Sequence, residues 1–125
     1  MAITRGTVVS GAVSASTQTL ASVACTGTDR YLEVAIALPS TNTVSSVVFN
    51  GTENLTKIDH SAWTGASPVR LEVWALVNPS ATTADVVITF SATSIACAQA
   101  HPLAGVDQTT PRDTLRKANA NTSPV

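Results

Sequence analysis

A chain of 125 residues is long enough for one domain with a hydrophobic core of its own and short for more than one. Hydrophobic residues make up 44%, which excludes a disordered chain, whereas charged residues are only 12%, about half the usual share. A net charge of −1 gives no field for nucleic acid, and the 4% of aromatics do not alternate with cations as a stacking groove requires.

No stretch patterns as a helix. Apolar residues recur at a spacing of two, and β-branched residues dominate. GTVVSGAVSA, broken by glycine, is predicted to be an edge strand. TQTLASVAC is the next strand, and TGTDR a turn. In YLEVAIALP, Leu32, Val34, Ile36 and Leu38 share one face, with Tyr31, Glu33, Ala35 and Ala37 on the other. Pro39 lacks a donor and ends the ladder. STNT is a turn and SSVVFN a short strand, closed by Asn50-Gly51, the strongest hairpin dipeptide in the chain. ENLTKIDHSAW returns, with Leu55 and Ile58 out of strict alternation, the mark of a bulge.

WTGASP is a loop. VRLEVWALVNP then sets Val69, Leu71, Val73, Ala75 and Val77 on one face and Arg70, Glu72, Trp74 and Leu76 on the other. The Arg70/Glu72 pair is expected in solvent, with Trp74 and Leu76 under a loop or a neighbouring subunit. After the turn NPSATTA, ADVVITFSA turns Val86, Ile88 and Phe90 inward. SIACAQAHPLAGV is the last strand, and its alanines admit close approach by another sheet.

About eight short strands with turns every ~8–12 residues predict an all-β fold. The expected form is a single antiparallel β-sandwich of jelly-roll type, with an immunoglobulin-like sandwich as the alternative. A Cys…Trp…Cys order suits the alternative. That fold, however, places a Tyr two residues before its second Cys, and position 95 is Ile.

Patterning stops near Val106. Residues 1–111 are expected to form the sandwich and residues 112–125 a polar basic arm. The first segment holds four cations against seven acids; the second holds Arg112, Arg116 and Lys117 against Asp113. Such an arm would lie on a neighbouring subunit, or on the surface the protein coats, and order there.

Little in the chain points to catalysis. His60 and His101 stand in no nucleophile motif, and no GxSxG occurs. Glu33, Glu53, Glu72 and Asp85 all fall in or beside strands, where spacing cannot pair them for glycoside cleavage. No enzyme activity, cofactor or metal is expected. Asp107 lacks a DxDxDG-type loop and reads as a turn-forming side chain bonded to its own backbone rather than a Ca²⁺ ligand. Cys25 and Cys97 lack metal-site spacing. They are either two small buried hydrophobes or a disulfide, which would need neighbouring strands and an oxidising setting. Trp63 in HSAWTGASP admits three roles: a sugar platform, an anchor at a protein interface, or a plug over the sheet. Glycosylation triplets begin at Asn50, Asn54 and Asn121, as chance gives in a Thr-rich chain. MAITRGTVVSGAV lacks the basic n-region and apolar h-region of a signal peptide, so none is expected, and no run approaches the ~18 apolar residues of a membrane span.

The stretch VSSVVFNGTENLTKI…SPVRLEVWALVNPSATTADVVITFSATSIACAQAHPLAGVDQTTP resembles a sandwich module of phage particle proteins and large bacterial surface proteins. A strand-turn-strand VxxVxFNGxxLTK is carried by Val44, Val47, Phe49, Asn50, Gly51, Leu55, Thr56 and Lys57. A VxLWxLVxP strand is carried by Val69, Leu71, Trp74, Leu76, Val77 and Pro79. A VxVTFS strand and the closing GVDQTTP, Gly105 to Pro111, complete it. The resemblance implies a jelly-roll sandwich and no single activity, since its marks are turns and core. Such modules run on past GVDQTTP into further strands. Here that implies either a sandwich complete without them or an open sheet edge that invites another chain.

The expectation is therefore a non-enzymatic structural protein of a virus particle: a phage capsid decoration protein, made in the host cytoplasm and located in the virion. It would bind the major capsid protein and its own copies as a homo-oligomer, a trimer, with no nucleic acid or membrane partner. Trp63, Trp74, Leu76, Arg112, Arg116 and Lys117 would form the interface. The alternative is a carbohydrate-binding or adhesion module that holds a glycan on Trp63.

Overall fold

The computed structural model describes residues 2–63, 65–66 and 68–112. Its strands are β1 (Thr4–Arg5), β2 (Val9–Cys25), β3 (Tyr31–Pro39), β4 (Val44–Phe49), β5 (Glu53–Asn54), β6 (Thr56–Trp63), β7 (Val69–Val77) and β8 (Thr82–Ala104). All pair antiparallel, and the fold is an all-β sandwich.

Two pairs of predicted strands are fused. GTVVSGAVSA and TQTLASVAC form the single β2, and ADVVITFSA and SIACAQAHPLAGV the single β8. The junctions, SAST and SATS, hold no Pro, Gly or Asn to reverse the chain, so it bends instead. At the bend the register jumps: Ala15 opposes Ser94 and Thr17 opposes Thr89. Ser16 alone thus stands against residues 90–93. Beyond this corner each long strand serves a second layer.

Layer one is built from β5, β4, residues 82–90 of β8 and residues 17–25 of β2. Layer two is built from β6, β7, β3, residues 94–104 of β8 and residues 9–15 of β2, with β1 beside the end of β8. One core cluster joins them. It holds the large Leu20, Phe49 and Ile88 of layer one with the small Ala96, Ala98 and Ala100 of layer two, a distribution that packs to interior density. Each fully buried Val, Leu, Ile or Phe contributes roughly 1.5–3 kcal/mol.

Local readings hold at several points. Leu32, Val34, Ile36 and Leu38 of β3 are buried together, as are Val86, Ile88 and Phe90 of β8. Asn50 and Gly51 both take positive φ, 55° and 73°, in the turn between β4 and β5, where the Thr52 N–H donates to the Phe49 carbonyl at 3.3 Å. The irregularity in β6 is a register shift between Lys57 and Asp59. A second bulge lies in β2, where Ala21 and Ser22 face Asp85. Ser22, at φ 59°, donates its N–H to Asp85 Oδ1 at 3.0 Å, which keeps the kinked backbone satisfied.

The expectation for β7 is reversed. Glu72 is fully buried, Arg70 largely so, and Trp74 belongs to the core, while Val69, Leu71 and Val77 face solvent. Alternation alone favoured the purely aliphatic side as the inner one. What decides is the charged pair's ability to satisfy itself inside, which hydrophobicity does not record.

Candidate functional site

Glu72 sits where the layers meet. Its Oε2 accepts from Arg70 Nε at 2.7 Å and from the Val44 N–H of β4 at 3.0 Å; its Oε1 accepts from Trp74 Nε1 at 3.1 Å. Burial by itself would raise its pKa. The Val44 amide, Arg70 and Trp74 outweigh that and hold the carboxyl below its ordinary value. This network fixes β7 with its aliphatic side outward.

The outward face of layer two can be read row by row from the register, since directly opposed residues share a face. Trp63, Val69 and Pro39 form one row. Ser61, Leu71, Ala37, Cys97 and Ala12 form the next, across five strands. Neither row holds a charged side chain. Trp63, Val69 and Leu71 are each more than 40% exposed there: 42%, 47% and 45%. A depression of about 520 Å³ lies on this face, lined by Ala12, Ala35, Ala37, Leu71 and Cys97 among others. Charges begin in the next row, with Asp59 opposite Val73, and continue in the one after it, with Glu33 opposite His101.

The closing GVDQTTP stretch anchors the far end of the face. The Gly105 and Val106 amides donate to the Thr28 and Asp29 carbonyls, each at 3.0 Å, and Val106 is buried. Asp107 Oδ1 accepts from the Thr109 and Thr110 amides at 2.8 and 3.0 Å, the side-chain turn expected of it. Those bonds, the Thr110 amide foremost, lower its pKa. Gln108 Nε2 donates to the carbonyls of Val106 and Arg30. The chain thereby turns back, and Arg112 reaches Glu33 of β3 at 2.6 Å. A second depression, about 400 Å³, lies among Tyr31, Ile58, Leu76, Pro111 and Arg112. Tyr31, on the outward side of β3, is buried at this end, and burial pushes its phenol up.

The residues expected at an interface therefore separate. Trp63 is exposed, though as the last residue of β6 rather than in a loop, and Gly65 lies against the Nε1–Cζ2 side of its indole. Trp74 is core and Leu76 packs against the core, because the inverted β7 turns both inward. Arg112 is held by Glu33 of its own chain; Arg116 and Lys117 lie outside the described residues. Cys25 and Cys97 are free thiols, not a disulfide: Cys25 is buried in layer one opposite Thr82, and Cys97 is exposed on layer two opposite Ala12 and Ala37. Val69, Leu71, Cys97 and Ala12, which do make up the uncharged face, were passed over in the sequence. Their signal was the Ala/Val/Leu composition of the sides opposite Glu72 and Ala98.

The candidate acids are each engaged locally. Glu33 holds Arg112, Glu53 accepts from the Ser80 amide, and Asp85 caps the β2 bulge. His60 on β6 and His101 on β8 are separated by β7 and β3. Among the described residues no group of three or more His, Cys, Asp or Glu is arranged to hold a metal ion. What the arrangement presents is an uncharged outer surface with Trp63, Val69 and Leu71 exposed on it. Family models, curated proteins and solved structures give no match to this chain.

Proposed function

We propose that this chain is a non-enzymatic structural subunit of a virus particle, a decoration protein that binds a phage capsid surface and its own copies. The observation that carries the reading is the outward face of layer two. A surface five strands wide with two charge-free rows and three large exposed apolar side chains loses little desolvation energy on contact and gains from burial. Repeated around a shell, many such weak contacts add up to firm attachment. The strand order supports the jelly-roll expectation. The first part of β2 is followed across its sheet by β8, β3 and β7, and the second part by β8, β4 and β5, the interleaving that two intertwined Greek keys give.

The test is localisation. An antibody raised against the chain, applied to density-gradient fractions of lysate from the host that encodes it, labels intact particles by immunogold microscopy under this reading. Label confined to cell-surface material, with glycan-array binding lost on Trp63→Ala, would instead support the adhesion module.

A further inference from the structure

Among the described residues four strands, β1, β2, β5 and β6, have an unpaired side, and they differ in how that side is guarded. β1 and β5 are each two residues long. β6 carries Lys57, Asp59 and His60 and a register shift in its middle. Shortness, charge and bulges are the usual means of blocking strand addition. β2 is 17 residues long and pairs with β8 alone among the described residues. The chain carries no charged side chain from residue 6 to residue 28. Its two register shifts fall after Ala15 and after Leu20, so residues 9–15 form a straight, unguarded run. Ser10, Gly11, Ala12 and Ser14 in that run are exposed.

We propose that this edge binds a second copy of the same chain, with residues 9–15 of two molecules pairing antiparallel about a two-fold axis near Ala12. The proposal rests on the self-association in the reading above and names its contact. The charge pattern selects the occupant. A two-fold axis sets each residue of the strand against its own strand in reverse, so a charge near the axis meets its like across the ladder. β6 would bring its charges together in this way; β2 has none to oppose. Continuity points the same way. Ala12 ends the uncharged row Ser61–Leu71–Ala37–Cys97–Ala12, so pairing at Ala12 joins the rows of two molecules end to end. The outer layers become one sheet with an uninterrupted apolar face. Run length is adequate, since ordinary strands span about five or six residues.

Disulfide trapping tests it. Ala12 faces Cys97 within one chain, so the trap is Ala12→Cys in a Cys97→Ser background. Opposed antiparallel residues place their Cβ atoms about 4.5–5.5 Å apart, close enough for a bridge after slight adjustment. Mild oxidation is expected to convert most of this variant into a covalent dimer on non-reducing gels. Gln99→Cys in the same background, one strand further in, stays monomeric. Light scattering on the unmodified chain gives a mass moving toward twice 12.8 kDa as concentration rises. Ser10→Lys with Ser14→Lys returns it to one chain without lowering the melting temperature. A trimer, or a Ala12→Cys variant that stays monomeric, overturns the edge contact. If association is instead abolished by Leu71→Lys and untouched by the Ser10/Ser14 pair, copies meet through the face: the edge proposal falls and the particle reading stands. Gold label absent from particles sinks the particle reading alone, whatever the trap shows.

Discussion

The backbone amide of Val44, on one layer, donates to the carboxylate of Glu72, on the other, at 3.0 Å. This bond crosses the sandwich, and Arg70 and Trp74 complete its acceptor's shell. Removing Glu72 leaves the Val44 and Trp74 N–H groups without their acceptor and Arg70 without its counter-ion, with only 13% of the Arg70 side chain exposed. Glu72→Ala is expected to cost about 3–5 kcal/mol in urea denaturation, the range for breaking one side of a buried pair. Glu72→Gln keeps an acceptor oxygen and should cost less. Equal losses for the two would mean that shape, and not hydrogen bonding, sets the value of the site.

The same group gives a pH dependence of definite sign. The folded-state pKa of Glu72 is lowered, so its contribution is fully present above the unfolded carboxylate value of about 4.3 and is lost as pH falls through that value toward the folded one. The urea midpoint of the wild type should drop below pH ~4, and the drop should be shallower in Glu72→Gln. Part of the slope remains in the variant, because Asp107 is shifted the same way by its turn amides. Parallel curves for the two proteins would remove Glu72 as a source of acid sensitivity.

The two thiols should behave as different reagents. Burial, with help from Glu53, pushes Cys25 up to about 11, so at pH 8 roughly one molecule in a thousand holds the reactive thiolate. Cys97 lies in the open on layer two. Ellman's reagent is expected to titrate one thiol per native chain and two in guanidinium. The Cys25 shift favours the neutral thiol in the fold. Its stabilisation is therefore complete below about pH 8.5 and declines as pH rises toward 11. Native titration of neither thiol would indicate that Cys97 is covered, and of both that the layer-one core opens readily.

Much of the fold was legible because strand alternation and turn chemistry are local. Asn50-Gly51 needs only its own φ preferences, and β3 only its four inward aliphatics. The fused strands were hidden because a bend without Gly, Pro or Asn leaves no punctuation; the Ser16 corner is made by tertiary register. The inward face of β7 was hidden for a different reason. Both faces are apolar enough to bury, and the choice falls to a carboxylate whose third donor, Val44, comes from another strand. The uncharged outer face follows from that choice, so an error at Glu72 carried through to Trp74 and Leu76. The Arg112–Glu33 pair was not legible, because the two are brought near only when the Asp107 turn reverses the chain.

Two glycines separate conformational cost from steric cost. Gly51 has φ +73°, and a Cβ built on it meets nothing within 4 Å. Gly51→Ala should therefore cost about 1–2 kcal/mol, the price of the left-handed conformation alone. Gly105 has nearly the same φ, +74°, but its Cβ would fall 2.5 Å from the Ala2 carbonyl oxygen, a backbone atom that cannot swing aside. Gly105→Ala should cost more, roughly 2–4 kcal/mol. Matching melting shifts for the two variants would mean that the N-terminal segment moves away freely.

Arg30 ties together the loops at the end of the sandwich where β2 passes to β3 and β7 to β8. Its Nε donates to the Pro79 carbonyl at 2.7 Å, one terminal nitrogen to Gly27 at 2.8 Å, and the other to Asn78 Oδ1 at 3.1 Å. Three acceptors spread around a planar fork suit guanidinium and not ammonium. Arg30→Ala is expected to cost about 2–3 kcal/mol, and Arg30→Lys to recover less than half of that, since one point donor cannot serve all three. The backbone bond from Asn78 N–H to the Arg30 carbonyl, 2.9 Å, does not depend on the side chain. Hydrogen exchange at Asn78 should therefore rise only as far as global stability falls. Full rescue by lysine would show that charge, not the shape of the fork, holds this end closed.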